Sequence, residues 1–208
     1  MTPVPEGQAY AVLRPAVAEA ARRTGATSLG LVDVGRGERP WAALNLRLDR
    51  ADVRLDHRVV GEHALSTTAL PTVVARVGPV PDPVLGLADA VARVPSDALP
   101  VVLTTWALSR LTPARRQRFV QVLAGLGRAC AWVSVEGVGV APGVPTLGDR
   151  PASGHSLVGL ALLDGADADA PVRAEVLARC WSRGRVLAWL APPVDGARAG
   201  GPGPAEPG

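Results

Sequence analysis

Apolar residues recur along this chain in two rhythms, one helical and one extended. Between residues 8 and 24, Ala9, Val12, Leu13, Ala16, Val17, Ala20 and Ala21 keep helical spacing, with Arg22 and Arg23 in the last turn and Gly25 beyond it. This predicts a helix, with a cost or kink at Pro15. Ser28 to Val34 is a short apolar run ending in glycines, the pattern of a buried strand. Trp41, Leu44 and Leu48 share one face of a short helix over 41–50, and residues 53–60 and 72–77 read as strands. Asp82-Pro83 predicts a helix cap followed by the stripe Val84, Leu87, Ala88 and Val91. Residues 101–106 form a buried strand. Thr112-Pro113 opens a helix whose inner face carries Phe119, Val122, Leu123 and Leu126, with Gly127 as its stop, and strand 130–137 follows.

The C-terminal part alternates differently. Residues 156–163 are strand-like, and 172–181 set Ala174, Val176, Ala178 and Cys180 against Arg173, Glu175, Arg179 and Trp181, with Leu177 breaking the second face. Ser182-Arg183-Gly184 then turns into 185–190, which makes the last pair a hairpin. Helices between strands followed by a hairpin predict an α/β domain with a mostly parallel open sheet that ends antiparallel. Residues 1–191 make one domain by this reading. The segment 192–208 holds ten Gly or Pro in seventeen residues and reads as a disordered tail.

Composition narrows the partners. The chain has 208 residues, 48% of them hydrophobic but only 3% aromatic, so the core is built from Ala, Val and Leu. It contains no lysine and no isoleucine, and its net charge of +3 comes from scattered arginines. With few aromatics to stack on bases, no nucleic-acid partner is expected. No run approaches the ~20 apolar residues of a membrane span, and the opening residues lack a signal-peptide pattern, so the expected location is cytoplasmic and no membrane partner is expected. Cys130 and Cys180 are too few for a disulfide framework, and the histidines His57, His63 and His155 show no metal-ligand spacing.

Candidate chemistry centres on Leu31 to Arg39. An acid inside the end of a first strand, Asp33, followed by Gly35-x-Gly37, is the start of a nucleotide-binding loop, because glycines let backbone amides approach a ligand. The third glycine is replaced by Arg39. Glu136 ends its strand on the edge where open α/β sheets bind ligands, beside Thr104 and Thr105. Gly154 to Gly159 imitates a nucleophile elbow, but Val158 stands at a required glycine and no histidine follows Ser156. His155 lines a cleft in one reading and bonds Asp149 or a backbone group in the other. The acids of 164–170 lack the spacing of a calcium loop and read as a solvated turn.

The segments 31–35, 44–50, 101–127, 131–137 and 177–190 resemble a bacterial family catalogued as domain of unknown function 2332. Its members show a strand ending in Glu-Val-Gly, a small-residue loop with Gly-Leu-Asn-Leu, and a Trp-rich closing hairpin. This chain instead carries Arg36, Glu38, Arg39, Pro40 and Trp41 in that loop. The resemblance implies a Rossmann-like fold similar to class I S-adenosylmethionine-dependent methyltransferases. It implies S-adenosylmethionine as cofactor, with Asp33, Gly35, Gly37 and, as the nearest acid after the second strand, Asp82 at the cofactor edge. Thr105, Glu136 and His155 then face a small-molecule substrate. The competing expectation is a non-catalytic relic of such an enzyme serving as an interaction or structural module.

Overall fold

The structure is a computed structural model that describes residues 13–34, 72–77, 80, 82–181 and 186–190. Helix α1 spans Leu13–Thr24, with Leu13, Ala16, Val17, Ala20 and Ala21 all buried along one stripe. Pro15 is the third residue of the described helix. On the other side of α1, Glu19 receives Arg22 at 2.7 Å and Arg23 at 2.6 Å, and Arg23 also pairs with Glu175.

Among the described residues seven strands form one mixed sheet in the order β2-β1-β3-β4-β5-β6-β7: β1 Ser28–Val34, β2 Thr72–Val77, β3 Leu99–Thr105, β4 Cys130–Gly137, β5 His155–Leu163, β6 Glu175–Trp181 and β7 Val186–Trp189. The first four are parallel, and β5, β6 and β7 each run antiparallel to the strand before them. The closing hairpin β6–β7 is present. It does not lie beside strand 130–136, however, because β5 takes that place in continuous register from Cys130↔Leu163 to Gly137↔Ser156.

Alternation assigns the sheet two buried faces. Leu29, Leu31, Val101, Leu103, Ala131, Val133, Val135, Val158 and Leu160 pack with α1. Val32, Val34, Val102, Trp132 and Ala161 pack with helices α2, Leu87–Ala92, and α3, Pro113–Ala124. The largest buried side chain, Trp132, meets Phe119 of α3 edge-on with ring centres 5.8 Å apart. Thr112 caps α3 through its side chain, as its sequence predicts, at 3.4 Å from the Arg115 amide.

Two expectations are corrected. The helix expected to open at Pro83 begins at Leu87, after a turn that ends in Gly86, and so is only six residues long. In β6 a bulge between the pairs Val158↔Ala178 and Gly159↔Val176 inserts Leu177. An inserted residue reverses the side-chain alternation, so Leu177, Ala178 and Cys180 join the α1 side while Ala174 and Val176 pack on the other. The four residues read as one face are thus divided between two. The expected helix 41–50, strand 53–60, turn 182–184 and tail 192–208 lie outside the described residues. Among the described residues no helix is long and apolar enough to cross a membrane.

Candidate functional site

Because β1, β3 and β4 are parallel, their C-terminal ends share one sheet edge, and the antiparallel β5 starts there. Asp33, Thr105, Glu136 and His155 therefore all come to that edge. Strand order reverses at β1, which has β2 on one side and β3 on the other, and open α/β sheets form ligand crevices at such reversals.

Asp33 follows Leu29 and Leu31 on the α1 face and pairs in register with Leu103, which sets Thr105 one step further along the same face of the adjacent strand. Its carbonyl accepts the Val80 amide at 3.1 Å, while its half-buried carboxyl has no side-chain partner among the described residues. Burial pushes that carboxyl up to about 6. Gly35 and Gly37 lie outside the described residues.

Beyond Thr105 the chain turns sharply. Trp106 adopts a left-handed φ of 50°, which costs a bulky residue on the order of 1–3 kcal/mol and persists only where neighbours fix it. Its amide donates to Val135 O at 2.9 Å and its indole Nε1 donates to Ser156 Oγ at 2.9 Å. The turn places the next two amides on the opposite side of the sheet, against Glu136.

Glu136 is 1% exposed and shares its face with Trp132 and Ser134. Its Oε1 accepts the Ala107 amide at 2.9 Å and the Leu108 amide at 3.0 Å. Among the described residues its Oε2 has no hydrogen-bond partner, and neither has the buried Ser134 Oγ. Burial outweighs the loop amides and raises this carboxyl to about 7. Thr104 is satisfied by Trp132 Nε1 at 3.0 Å. From α3, Arg116 holds the same segment by its carbonyls, donating to Leu108 and Leu111 at 3.0 Å and to Ser109 at 3.2 Å. Thr105 and Glu136 thus stand on opposite faces and do not share a wall.

The remaining candidates have defined partners. Asp82 accepts the Val84 and Leu85 amides at 2.9 and 3.0 Å and receives Arg115 at 2.8 Å. The Leu85 amide, then Arg115, hold it below the usual carboxylate range. His155 Nε2 lies 3.0 Å from Asp149 Oδ2, the partner expected for it, and Arg179 Nε donates to the same oxygen at 2.7 Å. Asp164 and Asp167 bond amides two residues on, as exposed turns do. The described residues hold no metal-ligand group. Sequence reasoning missed the roles of Trp106, Arg116 and Ser134.

No curated protein and no solved structure matches the chain. A family model described as an uncharacterized protein conserved in bacteria matches residues 80–189, a stretch that contains the Trp106 turn, Glu136 and the closing hairpin. That match covers more than half of the sequence, and the chain accordingly belongs to this bacterial family, domain of unknown function 2332.

Proposed function

We propose that this protein is a small-molecule-binding α/β domain of methyltransferase type, which takes S-adenosylmethionine at the β1/β3 edge. The observation that carries the reading is Asp33, a half-buried carboxyl without a side-chain partner among the described residues, at the end of the strand where sheet order reverses. The parallel order β2-β1-β3-β4 supports it as well. Asp33 suits a hydrogen-bond-donating group of the ligand, and Thr105, on the same face, offers a hydroxyl to a second polar group. The cofactor supplies an activated methyl group when bound. Methyl transfer from a sulfonium is an in-line displacement that depends on positioning, so the chain needs no nucleophile of its own.

Asp82 does not fit the ribose-binding acid, because its oxygens are taken by its own turn and Arg115. That occupancy favours the second reading, a non-catalytic interaction module. Thermal unfolding with S-adenosylhomocysteine separates the two. Binding stabilises the protein by about 2.7 kcal/mol at a hundredfold excess over Kd, and Asp33→Ala removes the effect. An unchanged melting curve at millimolar ligand overturns the enzyme reading and leaves the module.

A further inference from the structure

We propose that Glu136 is a protonation-dependent latch on the segment 106–111, which stays seated on β4 while Glu136 carries a proton on its unpartnered oxygen and lifts toward water once that proton leaves. Three observations converge. Glu136 Oε1 gathers two consecutive amides of the segment and the Ser109 amide also bears on the carboxyl, while Oε2 is sealed from solvent with no hydrogen-bond partner among the described residues. An ionised carboxylate with one oxygen in that condition lacks the hydration it needs, and lifting the segment is the local way to supply water. Ser134 Oγ stands two residues earlier on the same strand face and is the other buried side-chain oxygen without a partner among the described residues; the two oxygens do not bond each other directly, which leaves a bridging water as the link that would serve a protonated Oε2. Trp106 begins the segment in a left-handed conformation held by one hydrogen bond each to β4 and β5 and by packing against the α1-side core, so lifting relieves strain there.

Among the described residues the charged surroundings are few. From α3, Arg116 reaches the carboxyl electrostatically and keeps the carbonyls of Leu108, Ser109 and Leu111, so the segment hinges and stays attached. From β5 the residue opposite Glu136 is apolar Leu157, and His155, two residues earlier on that face, is engaged by Asp149. The seated form keeps the proton to about pH 7, so leaving it couples seating to the neutral range. The consequence for ligand binding rests on the proposed ligand edge, since Thr105 precedes the segment, whereas the latch itself is read without ligand.

Amide spectra of the isotopically labelled full chain from pH 5 to 9 test it. The Ala107 and Leu108 signals titrate with a midpoint between about pH 6 and 8, and their exchange, corrected for intrinsic base catalysis, accelerates by up to about 100-fold across it. In Glu136→Gln both changes vanish. The same midpoints in Glu136→Gln, or unmoved wild-type amides, overturn the latch. Should that variant fail to fold, the Glu136 carboxyl carbon in the wild type decides: one midpoint shared with the two amides supports the latch, and separate midpoints refute it. S-adenosylhomocysteine added at pH 6 and at pH 8 keeps the two readings apart. Absence of binding at both, with the titration intact, refutes the ligand edge alone.

Discussion

Gly30 lies inside β1, three residues before Asp33, and faces Val94 just past the end of α2, so its fit there sets how closely the strand packs. A Cβ at Gly30 would strike a γ-methyl of Val94, approach the other γ-methyl to 2.8 Å and the Val94 Cβ to 3.0 Å. Carbon atoms pack best at ~3.5–4.0 Å. Val94 is 2% exposed, and its carbonyl, like those of Pro95 and Ala98, is held by Arg128, so the isopropyl group has nowhere to go. Gly30→Ala is therefore expected to cost about 2–3 kcal/mol as overpacking. Val94→Ala removes two buried methyl groups at ~0.8 kcal/mol each, plus the cavity left behind, about 2 kcal/mol altogether. In the double variant the new methyl enters the vacated space. Its loss falls well below the sum of the two, to about 1–2 kcal/mol, a coupling of ~2–3 kcal/mol. Urea unfolding of the four proteins with a common m-value measures each loss. Additivity within about 0.5 kcal/mol refutes the close approach of β1 to Val94.

Further predictions concern charge and the bulge. Burial raises Glu136 from its ordinary 4.5 to about 7, so the folded protein binds this proton more tightly than the unfolded chain and stability falls as pH rises through that window. Glu136→Gln removes the slope, and urea unfolding at each pH should show the variant gaining about 3 kcal/mol on the wild type between pH 4.5 and 7.5; parallel curves refute it. Arg22, with Arg23, holds Glu19 down to about 2, so its contribution is present above pH 4.5 and lost as pH falls toward 2. Glu19→Gln should cost about 1–2 kcal/mol at pH 7 in chemical unfolding and converge on the wild type near pH 2. Val176→Asp places a carboxylate among Val138 and Leu157 and is expected to cost at least ~3 kcal/mol, against less than ~1 kcal/mol for the exposed Glu175→Ala. Equal small losses in thermal melts refute the packing of β6.

The strands were legible where apolar runs were closed by turn residues: 28–34, 72–77 and 130–137 have the ends that the sequence marks. Thr112-Pro113 marked α3 because a cap and a preset φ are local properties. What failed depends on register. The one sign of the residue that divides Val176 from Ala178 is Leu177 itself, the apolar letter that breaks the second face, and because leucine suits either face that break does not by itself announce an inserted residue. Thr105 and Glu136 both end strands, and only the pairing Thr105↔Val135 shows that the next residue of β4 points the other way. The same parity gives the candidate site its form. Asp33 and Thr105 open on the α1 face, while Glu136 seals the opposite one, and the segment between the strands must cross from one to the other at Trp106. A glycine there would have advertised the left-handed turn in the sequence. A tryptophan hides it, and it also places an indole across to Ser156 where a glycine would place nothing. The segment is tied to β4 through the Trp106 amide and to β5 through its indole, so the movement proposed at Glu136 would reach the face that carries Asp33.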